Sequence, residues 1–250
     1  MMILFNYLNI NFKKLFNRSN IIHGTLFLII MHPGICESIL RDPKIPHNER
    51  TTYSETVGDK KTFSSSQVKI KYDGQKQLYE ITDYSPNSEV TLTILSDNLT
   101  TKNINEITTN KGFRIATTTN ITGTGNSREK EIESLAIRDL AHILRGFPFD
   151  LKDTIPINFV SSESDDSSFS LGIRNVAKET LKINSRSIKT YKLELIASAP
   201  GIMGMFIGMA PKTFFWYSVN QPHYLVKYEG SSGGPGSPIR ILQITNYSGW

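Results

Sequence analysis

From Thr51 to its end the chain repeats one pattern, apolar residues at every second position with polar or charged residues between them. Val68, Ile70 and Tyr72 alternate with Lys69 and Lys71; Val90, Leu92 and Ile94 alternate with Thr91 and Thr93. Phe113 and Ile115 flank Arg114, and Ile155, Ile157 and Phe159 alternate with Pro156 and Asn158. Phe169, Leu171 and Ile173 continue the series, as do Tyr191, Leu193 and Leu195 with Lys192 and Glu194 between them. Side chains two apart share a strand face, so this period means strands with one buried and one wet surface. Such strands build an antiparallel sheet with a solvated side, not a parallel sheet covered on both faces.

One segment departs from this period. Between Ser127 and Arg145 the residues Ile132, Leu135, Ala136, Leu140, Ile143 and Leu144 fall at helical spacing. Glu129, Glu131 and Glu133 near its start and Arg145 near its end suit the helix dipole, and Gly146 and Pro148 stop it. The predicted helix is amphipathic and lays its apolar stripe on the sheet. The predicted fold class is therefore α+β, mainly antiparallel β: about eight to ten strands in a curved sheet with one amphipathic helix packed on it.

The predicted organisation is a signal peptide over residues 1–36, a linker over 37–50 and one domain over 51–250. Lys13, Lys14 and Arg18 precede the apolar run Ile21–Met31, and Pro33, Gly34 and Cys36 follow it. The run is about 11–15 residues, short of the roughly 20 that span a membrane. Cleavage after Cys36 gives a mature start at Glu37; the alternatives are an uncleaved anchor and a lipidated Cys36. The segment from Glu37 to Arg50 is polar and aperiodic, with Pro43 and Pro46, and so reads as a linker. The net charge of +5 includes the three basic residues of the leader; without them 25 basic residues face 23 acidic ones. That balance, with no Lys/Arg cluster interleaved with aromatics, argues against nucleic acid as a partner. Cys36 is the only cysteine, so a mature chain lacks disulfides and thiolate chemistry and relies on its core, which suits the bacterial periplasm.

A catalytic or metal-binding pattern is not legible. His47, His142 and His223 remain after the leader, and none of them stands at i, i+4 from another. No G-x-S-x-G elbow occurs, and the glycine-rich stretch Gly230–Pro238 lacks the lysine and following helix of a phosphate-binding loop. Asp165 and Asp166 sit in a polar tip, Ser161–Ser168, where nothing desolvates them. The expectation is a protein without enzymatic activity, metal or cofactor.

Two features point to binding instead. In Thr213–Val219, Phe214 and Trp216 share one face while Phe215, Tyr217 and Val219 share the other, so this strand is apolar on both sides. One side packs on core, and the other needs the helix or a ligand, because a wet aromatic row forgoes roughly 1.5–3 kcal/mol per side chain. The segment Ala199–Pro211 is apolar, bounded by prolines and rich in Gly and Met, and reads either as a buried connection or as a lip over an apolar ligand. The candidate ligand-binding residues are Phe214, Trp216, Met203, Met205, Phe206 and Met209.

Several stretches together resemble a family of bacterial envelope proteins catalogued as domain of unknown function 3108. They are Leu144-Arg145-Gly146-Phe147-Pro148-Phe149-Asp150, Glu179–Ile183 followed by Lys189–Leu195, and Phe215–Ser218 with Pro222 and Leu225–Glu229. The resemblance spreads over Tyr53 to Tyr247. That family is similar in shape to periplasmic lipoprotein carriers, and the resemblance implies an incomplete barrel with a hydrophobic concavity plugged by helical material. It implies no reaction. The resulting expectation is a periplasmic binding or carrier protein for a hydrophobic or lipidic ligand. The alternative is a structural or docking component of the envelope with a protein partner.

Overall fold

The computed structural model describes residues 39–110, 113–120, 132–134, 137–159, 170–198, 211–232 and 236–250. Six strands come first: β1 (Arg50–Val57), β2 (Lys60–Asp73), β3 (Lys76–Ser85), β4 (Ser88–Leu95), β5 (Thr101–Asn110) and β6 (Phe113–Asn120). The short β7 (Ile132–Ser134) precedes helix α1 (Ile137–Ile143), which tightens into a 3-10 turn at Leu144–Gly146. The second run is β8 (Ile155–Phe159), β9 (Ser170–Ile183), β10 (Arg186–Ser198), β11 (Thr213–Ser218), β12 (Leu225–Ser231) and β13 (Ile239–Tyr247).

All of these strands form one sheet in the order β6-β5-β4-β3-β2-β1-β13-β12-β11-β10-β9-β8-β7. It is two meanders joined back to back, because the first strand pairs with the last: Tyr53 stands opposite Ile244 and Val57 opposite Arg240. Among the described residues only β7 and β8 pair in parallel. Gly58 and Gly74, both at positive φ, turn the tight β1–β2 and β2–β3 connections, a conformation that costs glycine nothing. The sheet is open, with β6 and β7 as its edges.

The contacts of α1 show that the sheet bends around it. His142 Nε2 lies 2.9 Å from Asp83 on β3, and the Tyr217 hydroxyl of β11 donates to the Ala141 carbonyl at 2.7 Å. In a flat sheet β3 and β11, five strand spacings apart, stand about 24 Å from each other. A helix of seven residues is only about 10 Å long, so both walls must rise to meet it. The core fills this trough: Leu140, Ile143 and Leu144 are fully buried against Tyr79, Ile81 and Leu92 on one wall and Leu193, Phe215 and Tyr217 on the other.

The fold class follows the sequence expectation, with two corrections. The helix was predicted over Ser127–Arg145, yet Ile132–Ser134 form β7, with Ile132 opposite Ile157 of β8. Short apolar spacing fits both periods, and here pairing with a neighbouring strand decides. Residues 39–50, expected as a linker, pack onto the core: Leu40, Ile45 and Glu49 are all buried. Arg41 N–H donates to the Gly146 carbonyl, and Asn48 and Val68 are joined through the backbone on the edge of β2. The buried residues of this segment, Leu40, Pro43, Ile45 and Glu49, are three, two and four positions apart, which matches neither a strand nor a helix period. Gly146 is required at this crossing, because a Cβ there would collide with the Arg41 carbonyl and a Leu99 methyl.

Candidate functional site

The trough has two mouths, and they differ. At the first, residues 39–49, the turn between β4 and β5, the exit of α1 and the loop after β11 come together. Leu40, Leu99, Phe147, Tyr224 and Tyr247 are all buried there. Arg145 ties these segments: Nη1 and Nη2 donate to the two Glu49 carboxylate oxygens at 2.7 and 2.9 Å, and Nε and Nη2 donate to the Pro222 carbonyl at 3.1 and 3.0 Å. The Tyr247 hydroxyl adds a third donor to Glu49 at 3.1 Å. Burial opposes the charge on Arg145, but the Glu49 carboxylate outweighs it and holds the guanidinium pKa above its ordinary value. Burial, reinforced by Glu49, likewise pushes the Tyr247 phenol up, so it stays a donor.

Outside this closed mouth lies a surface cleft of about 340 Å³. Phe149 and Tyr191 stack in its wall with centroids 4.5 Å apart, and the His223 ring lies 4.9 Å from Phe149. His223 Nδ1 lies 2.9 Å from the Ser218 carbonyl, and as donor it leaves Nε2 unprotonated in the neutral ring. Burial lowers the His223 pKa below its ordinary 6.5. The unfolded chain then binds the proton more readily than the folded one, so this contribution to stability is complete above about pH 6.5 and lost as pH falls below it. Thermal melts between neutral pH and pH 5.5 are expected to show a falling Tm, with a shallower fall in His223→Asn, whose asparagine tolerates the positive φ at this position.

The second mouth is different. Leu171 on β9, Leu195 on β10 and Leu242 on β13 point into the trough, in line with the buried Ile173, Leu193 and Ile244, yet each is only half-buried. The paired ends of β1 and β2, β3 and β4, β5 and β6, and β12 and β13 all lie at this end of the sheet, as do Ser198 and Thr213. The predicted site residues Met203, Met205, Phe206 and Met209 lie outside the described residues.

Phe214 and Trp216 are on the opposite, outer face of the sheet, away from α1. The register sets Trp216 between Lys192 on β10 and Lys227 on β12. The Lys192 ammonium stands 4.2 Å from the Phe214 ring centre and 4.8 Å from that of Trp216, and Lys227 stands 4.7 Å from Trp216. Trp216 Nε1–H donates to the Glu179 carboxylate. The second apolar face of β11 is therefore covered by lysine stems and cation–π contacts from its own neighbours, each worth about 0.5–2 kcal/mol.

The buried Glu194 is committed as well. Glu194 is paired with Arg174 at 2.8 Å and Lys212 at 2.9 Å; burial raises its pKa, but these two cations together bring it below the ordinary carboxylate value. Among the described residues no cluster of three or more His, Cys, Asp or Glu is placed to hold a metal ion, and no helix is long and apolar enough to cross a membrane.

No family model matches the chain, that of domain of unknown function 3108 included, and no curated protein matches it. Solved structures do. The hypothetical lipoprotein YmcC from Escherichia coli is 13% identical, with 83% of this chain and 92% of that one covered and a TM-score of 0.35. A beta-barrel-like protein of domain of unknown function DUF1849 from Brucella abortus is 10% identical, covering 84% and 98%, at 0.34. A LolA superfamily protein from Nitrosomonas europaea is 12% identical, covering 85% and 89%, at 0.23.

Proposed function

We propose that this chain is a noncatalytic binding protein of the bacterial envelope that holds a hydrophobic or lipidic ligand at the second mouth of its trough. The observation that carries the reading is the asymmetry of the two mouths. One is sealed by a buried ion pair and aromatic packing, while Leu171, Leu195 and Leu242 keep apolar surface at the other. Fully burying a leucine side chain is worth about 1.5–3 kcal/mol, so an acyl chain laid on three half-buried ones gains part of that at each. The noncatalytic part is supported by the commitments of the polar groups: Arg145 to Glu49, Glu194 to Arg174 and Lys212, His142 to Asp83, and His223 to a backbone carbonyl. Export to the periplasm remains part of the proposal, on the basic and apolar pattern of residues 1–36. A ligand against Phe214 and Trp216 is the competing placement; it is opposed by the two ammonium groups already seated on Trp216.

Native mass spectrometry of the protein purified from envelope without detergent tests this. A copurifying mass that organic extraction removes and identifies as a lipid supports the reading. Protein that carries no ligand, and takes none up from added fatty acid or phospholipid, refutes it.

A further inference from the structure

Beside the half-buried leucines of the second mouth, the trough face turns polar. Thr213 stands opposite Leu195 and Gly230 opposite Arg240, each two residues from Phe215, Tyr228 or Leu242 and so on the same face as they are. Tyr228 and Glu55 both stand opposite Leu242. Gly230 has no side chain, and its neighbours lean over it: a Cβ there would lie 2.6 Å from the Tyr228 hydroxyl and 2.8 Å from Thr213 Oγ1. The two oxygens are therefore close enough for one ligand atom to reach both. Burial pushes the Tyr228 phenol up, against the pull of the nearby Arg240 charge, so the hydroxyl stays a donor. Among the described residues it has no hydrogen-bond partner. The Arg240 guanidinium is held on one side. Glu55 Oε1 stands 2.8 Å from Nε, near enough for charge pairing, yet Nε is buried and makes no hydrogen bond. One carboxylate oxygen at Nε does not exhaust a fork of five N–H donors.

From this arrangement we infer that the second mouth selects an acyl ligand with an anionic oxygen headgroup, a carboxylate or a phosphate, held by Arg240, Tyr228 and Thr213 while its chain lies on Leu195 and Leu242. Donors outnumber acceptors in this group. Its one carboxylate, Glu55, already faces Arg240 Nε, so a headgroup here must accept hydrogen bonds rather than give them. A guanidinium matches the paired oxygens of a carboxylate or phosphate, and charge-assisted bonds are the strong ones. The apolar surface adjoins the donors directly. Leu195 is the cross-strand partner of Thr213 and Leu242 that of Tyr228, and such partners have Cβ atoms about 4.5–5.5 Å apart. An oxyanion on the donors thus leaves the first methylenes of its chain over the two leucines. The inference rests on the reading that an apolar ligand occupies this mouth, and adds the headgroup that the mouth recognises.

Calorimetric titration of the chain without its leader tests it, with dodecanoate, dodecyl phosphate and dodecanol as probes, each below the concentration at which it aggregates. At least one of the anions is expected to bind about tenfold or more tighter than the alcohol of equal chain length, and the tighter of the two identifies the headgroup. Arg240→Gln is expected to remove most of that preference and to leave dodecanol binding within about twofold of the parent. Tyr228→Phe, which keeps the ring packed on Phe215, is expected to weaken the anions alone. Tm is measured alongside. Should Glu55 without its cation lower the Tm of Arg240→Gln, the double variant Glu55→Gln with Arg240→Gln leaves no unpaired charge and carries the same expectation. Equal affinity of the parent for dodecanol and both anions, or a preference that survives in these Arg240 variants, overturns the inference and leaves the apolar site standing. Failure of all three probes to bind defeats the carrier reading and this inference with it.

Discussion

Arg145→Met is expected to destabilise the fold by about 3–5 kcal/mol, measured as a shift in the urea midpoint at constant m. Arg145 and Glu49 have side-chain exposures of 5% and 2%, so water cannot replace either partner when one is removed. The substitution leaves the Glu49 carboxylate with only the Tyr247 hydroxyl and strips two donors from the Pro222 carbonyl. Arg145→Lys is expected to rescue little, because a single ammonium cannot reproduce the two-pronged contact with the carboxylate and still reach Pro222. The companion variant Glu49→Leu with Arg145→Met removes both charges and is expected to recover most of the lost stability. A double variant no more stable than Arg145→Met would mean that the loss is one of packing volume. The pair joins residues 39–49, the end of α1 and the loop after β11, so its loss is also expected to open the closed mouth to hydrogen exchange first at those three segments.

Leu140→Ala is expected to cost about 2–5 kcal/mol. Helix α1 is seven residues long, well below the length at which a helix persists in water, so its stability comes from what it packs against. Leu140, Ile143 and Leu144 are fully buried between the two walls of the trough. Removing three carbons from Leu140 leaves a void that neither wall can close without drawing the other with it, which places the cost toward the upper part of that range. A loss below about 1 kcal/mol, the size of an exposed substitution, would mean that the helix only rests on the sheet. The two substitutions lie on one short segment, so their effects are not expected to add.

How much of this was legible in the chain depends on what each strand buries. β4, β9 and β10 declare themselves by alternation, because one face packs on the core and the other meets water. Among the described residues thirteen strands are present where about eight to ten were expected. β5 lies beside the edge strand β6, where Asn103 faces Asn120 and Ile104 faces Thr119, and a strand that buries little has little reason to alternate. β7 was hidden inside a helical spacing. Residues 39–50 looked like a linker because a segment that caps a mouth buries isolated residues rather than a face. The two-sided character of β11 was visible in Phe214–Tyr217. What covers its second side was not, because Lys192 and Lys227 stand opposite Trp216 only through the cross-strand register. The bond between Glu49 and Arg145 joins positions 96 residues apart, which no local pattern encodes.

Where a lipid sits on this protein is the most direct question for the account, and photo-crosslinking answers it. The protein is loaded with a fatty acid bearing a diazirine on its acyl chain, irradiated, digested and mapped by mass spectrometry. The trough reading predicts label on peptides carrying Leu171, Leu195 and Leu242, with little on Phe214 or Trp216. Label concentrated on Phe214 and Trp216, or spread over the exposed surface without preference for the trough, would contradict it.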